Sequence, residues 1–155
     1  VLGAEGEQRL LANMAETCRA HVVSTNDAVK AAIARHNPQR VAVLTPYIAE
    51  LNAAIRAGLE GSGLNVVRIA GLDITDNYGI CSVPPAEIVA VAERELRGVD
   101  FDLLFVSCTN FRAVEARPAL LERYGVPVVT SNQATIDATL ATLALAPSHP
   151  LAAPA

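Results

Sequence analysis

Asp102-Leu103-Leu104-Phe105-Val106-Ser107-Cys108-Thr109-Asn110 is the stretch on which the reading of this chain turns. Leu103 to Val106 is a short unbroken apolar run of strand formers, the pattern of a parallel strand covered on both faces, and it stops at four small polar or thiol residues. Cys108 therefore falls at the carboxyl end of a strand. In open α/β sheets ligands bind at that edge, because the strands run out into loops and the helices that follow present free N–H groups to anions. Two readings of the thiol stand side by side. A free cysteine packs readily as a small buried hydrophobe. Here Ser107, Thr109 and Asn110 make a polar surround instead, and helix-directed N–H groups would favour a reactive thiolate.

Upstream, Arg40-Val41-Ala42-Val43-Leu44 reads as a second buried strand, with Thr45-Pro46 placing a cap and a first-turn proline directly behind it. The helix they open runs from Tyr47 to about Glu60 and closes at Gly61-Ser62-Gly63. Asn65 to Ile69 is the next strand, and Gly71 to Pro84 is a polar loop without periodicity, of the length at which loops in compact domains are more often functional than idle. Pro85 opens a helix that ends near Gly98. Beyond Cys108 an irregular turn leads to Pro118, which starts a short helix closed by Gly125; Val126 to Val129 is the last strand. Ser131-Asn132 caps a final helix carrying Ile136, Leu140, Leu143 and Leu145.

At the amino end, Glu7 to Cys18 has helical spacing, Val22-Val23 reads as a short strand, and Ser24-Thr25-Asn26-Asp27 supplies caps for a helix toward Arg35 that Asn37-Pro38 ends. Residues 147–155, rich in Pro and Ala, read as a flexible tail. Strand alternating with helix throughout predicts an α/β fold, a doubly wound parallel sheet with its polar loops on the carboxyl edge.

With 155 residues the chain can bury a full core. Its 12 basic and 16 acidic residues give a net charge of −4, which offers nothing to nucleic acid or an anionic membrane surface. No apolar run approaches the roughly 20 residues of a membrane span, and no signal peptide is read at the start. Cys18, Cys81 and Cys108 form no C-x-x-C and leave one unmatched, against a disulfide framework or a zinc site; a reducing cytoplasm is the expected location. His21, His36 and His149 lack ligand spacing.

Val22-Val23-Ser24-Thr25-Asn26-Asp27-Ala28-Val29 resembles Val128-Val129-Thr130-Ser131-Asn132-Gln133-Ala134-Thr135, and each follows a helix with a Leu-Leu pair, Leu10-Leu11 and Leu120-Leu121. Small caps after Val-Val recur by chance; the alternative is a duplicated domain. On that reading residues 1–28 are the tail of a first α/β half and 29–146 form a second half carrying Cys108. The first half's own cysteine turn would fall before residue 1. A half built to dock exposes an apolar face, so a homo-oligomer is expected.

Val41-Ala42-Val43-Leu44-Thr45-Pro46-Tyr47, then Asp76-Asn77, then Ser107-Cys108-Thr109-Asn110 resemble the C-terminal half of the aspartate/glutamate racemase superfamily, in its maleate cis-trans isomerase and arylmalonate decarboxylase branch. Such proteins pair two pseudo-symmetric α/β halves around an active site, many with one cysteine from each half. The resemblance implies that Cys108 is the second-half cysteine, nucleophile or acid/base, and that Tyr47 and Asn77 contact a substrate carboxylate. It implies a small dicarboxylate or related carbon acid as substrate, and no metal or organic cofactor. Thr109 and Asn110, through their N–H groups, with Thr45 and Ser131 at other strand ends, complete the substrate-binding candidates. Tyr47 packing at a helix start, and Asn77 serving only an Asx turn, are the plain alternatives. Three functions stay open: a cofactor-independent isomerase of the maleate type; an arylmalonate-type decarboxylase or amino-acid racemase; or a non-catalytic carboxylate-binding fragment without the first-half cysteine.

Overall fold

Val41–Thr45 (β1), Val66–Gly71 (β2), Leu103–Val106 (β3) and Val128–Thr130 (β4) hydrogen-bond in the order β2-β1-β3-β4, every pair parallel. They belong to a computed structural model that describes residues 3–18 and 20–145. Around the sheet lie α1 (Gly3–Cys18), α2 (Thr25–Ala34), α3 (Ala49–Glu60), α4 (Asn77–Ser82), α5 (Pro85–Glu95), α6 (Ala113–Tyr124) and α7 (Ser131–Thr142).

β1 and β3 are buried at every position, as strands covered on both faces must be. Their period-2 alternation divides the core in two. Val41, Val43, Leu103 and Phe105 pack with Ala28, Val29 and Ile33 of α2, Leu59 of α3 and Ala134 of α7. Ala42, Leu44, Leu104 and Val106 face the other way, onto Ile80 of α4, Ile88 and Val91 of α5 and Leu120 of α6. The chain moves from β1 outward to β2, then returns across β1 to β3. That reversal makes a topological switch point between the carboxyl ends of β1 and β3, the crevice where open α/β sheets bind ligands.

The α/β parallel-sheet reading holds, with local differences. Val22-Val23 forms no strand, because it has no ladder partner in this sheet. Pro118 lies inside α6, which begins at Ala113. Burial of Ala113, Ala116 and Leu120 outweighs the one helical hydrogen bond that a proline removes. The loop after β2 contains the short α4, capped by Asp76, whose side chain accepts the Gly79 N–H at 2.7 Å. α3 begins at Ala49, not Tyr47, and β2 continues to Gly71. Leu143 and Leu145 lie past the end of α7, and the tail over 147–155 lies outside the described residues.

At the end of β2, a Cβ added to Gly71 would collide with the Tyr47 carbonyl oxygen and the Asn52 side-chain amide. Gly71→Ala should therefore destabilise the fold by about 1–3 kcal/mol. In α3 an added Cβ at Gly58 meets nothing within 4 Å, so Gly58→Ala should gain up to about 1 kcal/mol from helix propensity alone. Urea denaturation of the two variants checks the contrast; matching midpoints would show that β2 does not press on the Tyr47 turn.

Candidate active site

Among the described residues five polar side chains are buried, Thr45, Asn52, Ser107, Thr130 and Ser131, and all five lie at the carboxyl edge of the sheet. Buried polar groups cost stability unless they are partnered, so a cluster of them marks where the fold has been given over to something other than packing.

Cys108 leaves β3 with φ at 99°, a backbone region that side chains other than glycine enter at a cost of about 1–3 kcal/mol. Its surroundings hold it there. Ser131, the first residue of α7, accepts the Cys108 N–H on its hydroxyl at 3.1 Å, and the Asn132 amide donates to the Thr109 carbonyl at 2.9 Å. Ser131 can do this because Thr130, not Ser131, caps α7, accepting the Gln133 N–H at 3.3 Å. The Asn110 N–H donates to the Cys108 sulfur at 3.3 Å, so that donor serves the thiol.

From the neighbouring strand, Thr45 is fully buried and its hydroxyl accepts the Tyr47 N–H at 3.1 Å. Tyr47 is half-buried and lines the same cavity as Cys108. Burial pushes the phenol's pKa above the ordinary tyrosine range, and the neighbouring Cys108 side chain pushes it the same way. The group therefore stays a proton donor at neutral pH.

Tyr47, Ser107, Cys108, Thr109 and Ser131 line one cavity of about 430 Å³, within the range of small-molecule sites. Thr25 and Asn26 of α2 join them, with Val29, Ile55, Leu59 and Phe105 forming an apolar wall. The repeat seen in the sequence has a spatial counterpart. Ser24 caps α2 by accepting the Asp27 N–H at 3.2 Å, as Thr130 caps α7, and the first turns of both helices reach this cavity. Glu7 of α1 takes the Ser24 hydroxyl at 3.0 Å and the Asn26 amide at 2.7 Å, tying α1 to the same corner.

Asn77 and Asn110 are exposed and do not line the cavity. The Asn110 amide donates to the Asn77 carbonyl at 2.7 Å, joining the start of α4 to the cysteine turn at its rim. Thr45 sits beneath Tyr47 and does not line the cavity either. Sequence reasoning missed Asn52, Asn132, Thr25 and Asn26 as site residues; for the last two the repeat was the available signal. Cys18 and Cys81 are exposed and outside the cavity. Among the described residues no three of His, Cys, Asp and Glu gather as metal ligands, and no helix is long and apolar enough to cross a membrane.

A parallel α/β sheet with a pinned cysteine and a facing tyrosine at its switch point defines an α/β domain with a thiol-bearing cavity. The sequence profile of the arylmalonate decarboxylase family matches residues 2–152, and the chain belongs to that family, whose relatives include maleate isomerases. The chain is 29% identical over 148 residues to a maleate isomerase of Pseudomonas putida, covering 94% of this chain and 59% of that protein. It is 32% identical over 97 residues to the arylmalonate decarboxylase of Bordetella bronchiseptica, 62% of this chain and 40% of that one. The solved Nocardia farcinica maleate cis-trans isomerase matches with a TM-score of 0.87 at 25% identity, over 97% of this chain and 63% of the other. The chain thus spans less than two thirds of these relatives.

Ser131→Ala would leave the buried Cys108 N–H without its acceptor. It should cost about 1–3 kcal/mol of stability and alter the rate of Cys108 alkylation by iodoacetamide in a Cys18→Ser/Cys81→Ser background. An unchanged alkylation rate would remove Ser131 from the support of the thiol.

Proposed function

We propose that this chain supplies the Cys108 half of a cofactor-independent isomerase acting on a small dicarboxylate in the manner of maleate isomerases. The observation that carries the reading is the Cys108 sulfur itself, which is held in a strained turn inside a cavity, receives the Asn110 N–H and faces the Tyr47 phenol. Relatives that span most of this chain point the same way. In this mechanism the thiolate adds to one alkene carbon and the π electrons move to the neighbouring carbon and its carboxylate. A donor on the opposite face protonates that carbon, the new single bond rotates, and removal of the proton with expulsion of the thiolate gives the trans diacid. Tyr47 would donate to the charged carboxylate, and Asn77 and Thr109, near the rim and lining, would orient it. Thr45 and Ser131 serve indirectly, through the Tyr47 and Cys108 backbones.

Decarboxylation of an arylmalonate is the second reading, favoured by the family profile over residues 2–152. Here a single thiol suffices, as the proton donor to the enediolate that remains when carbon dioxide leaves. Production of fumarate from maleate, measured against carbon dioxide release from phenylmalonate, separates the two.

Cys108 occupies one face of a bound substrate, and neither Cys18 nor Cys81 follows a strand. The 155-residue chain alone should give no maleate turnover. Joined to a first half that carries its own strand-end cysteine, it should turn over, and Cys108→Ser should then lower the rate about 10²- to 10⁴-fold or more. Fumarate formed by the isolated chain and abolished by Cys108→Ala would overturn this division of labour.

We further propose self-association. Leu10 and Met14 on α1, Leu51 on α3 and Tyr78 on α4 are large apolar side chains left exposed. Sedimentation at micromolar concentration should show a dimer or larger species, and a monomer at every concentration would refute it.

A further inference from the structure

Asn52 is the anomaly of α3. It is 8% exposed within a helix, where asparagine is a poor helix former and a buried amide is unfavourable unless its groups are partnered. Its backbone N–H bonds normally to Ile48, so the helix gains nothing from the side chain. The side chain instead reaches the turn after β1. The Thr45 hydroxyl accepts the Tyr47 N–H at 3.1 Å and donates to Asn52 Oδ1 at 2.6 Å, while Asn52 Nδ2 donates to the Tyr47 carbonyl at 3.2 Å. Two side chains thus hold both backbone polar groups of Tyr47. The amide has one workable orientation, since reversing it would set Oδ1 against the Tyr47 carbonyl, acceptor against acceptor. Gly71 backs the same knot from β2 with no space for a Cβ.

We propose that Asn52 is a positioning residue, which sets the Tyr47 phenol against the Cys108 thiol by clamping the backbone that carries it. The inference rests on the functional reading only for what Tyr47 does to substrate; the clamp is a property of the folded chain. A small rotation at the Tyr47 Cα is magnified at the hydroxyl, and misplacement by about 1 Å can cost a positioned reaction about a hundredfold. An apolar side chain of similar volume would fill the space between α3 and the sheet but leave the Tyr47 carbonyl without its donor.

The test uses the chain with Tyr78→Phe and Tyr124→Phe, so that Tyr47 is its only tyrosine. Its phenolate absorbance is followed with alkaline pH while far-ultraviolet circular dichroism reports the fold. In this parent the phenolate should appear only above the ordinary tyrosine range. Asn52→Leu and Thr45→Val should each bring the midpoint back toward about 10, the ordinary tyrosine value. Thr45→Ser, which keeps the hydroxyl, should hold the parent midpoint. Ile33→Ala, in the core cluster on the other face of the sheet from the one Tyr47 packs against, should lose stability without moving it. An unmoved midpoint in Asn52→Leu, or an equal move in Ile33→Ala, would overturn the proposal. If Asn52→Leu does not fold, the contrast between Thr45→Val and Thr45→Ser decides. Turnover is not among these readouts, so a failure of the isomerase reading shows in the fumarate assay alone.

Discussion

The structure depends on the register between β1 and β3. Both strands are apolar on both faces, so no alternation of polar and apolar residues penalises a slip as it would in a half-exposed sheet. Polar contacts at the strand ends supply the constraint. At the amino end the Asp102 carboxylate accepts the N–H groups of Gln39 and Arg40 at 3.1 and 3.0 Å, and the Asp102 N–H bonds back to the Arg40 carbonyl. At the carboxyl end the Ser107 N–H reaches the Leu44 carbonyl at 2.9 Å, one rung past the last paired residues, Leu44 and Val106. With that rung made, Thr45 and Ser107 leave the sheet side by side, and two residues later on one strand, one on the other, Tyr47 and Cys108 face each other.

Beyond that rung, strain is traded against hydrogen bonds. A non-glycine residue at φ 99° would relax if its neighbours allowed it, and the Ser131, Asn132 and Asn110 contacts do not. Those contacts come from α7, directly behind β4, and from the cysteine turn itself, so the thiol is oriented by the far strand as well as by its own. Tyr47 is oriented from the other direction, by β1, α3 and the end of β2. Cys108 and Tyr47 are therefore mounted on separate supports that meet only across the switch point, with rigid elements beneath each.

Much of this was legible in the sequence, and the parts that were not share a cause. The strands were readable because a short continuous apolar run between polar breaks, rich in β-branched residues, suits a buried strand and little else; the strand-end position of Cys108 was readable from where that run stops, while its burial beside the core was not. Pro118 misled because local propensity marks it as a helix start, while burial of Leu120 and Ala116 carries the helix through it. Val22-Val23 misled because strand propensity says nothing about whether a partner strand is present. Asn52 gave no signal, since its partners lie seven and five residues back, across a strand end and a turn, and nothing in a helical run distinguishes a clamp from a weak helix former. Asn77 invites a side-chain role, whereas the contact that places it is through its carbonyl.

The asymmetry of the site is the feature that bears most on chemistry. The backbone contacts that orient Cys108 and Tyr47 come from β1, α3 and α7, and the thiol's own donor comes from the cysteine turn. Pinning a thiol from one side fixes which face of a substrate it can meet, because its backbone cannot turn over without breaking the Ser131 and Asn132 bonds together. Addition followed by rotation and expulsion needs a second group on the other face of the same carbon framework, whereas protonation of an enediolate after loss of carbon dioxide needs only one. The rigidity that makes Cys108 a well-aimed group is thus also what separates the two chemistries. On the reading proposed above, a domain of this design would serve decarboxylation by itself, provided something shields the cavity, but would serve isomerisation only with a proton donor brought in over the edge.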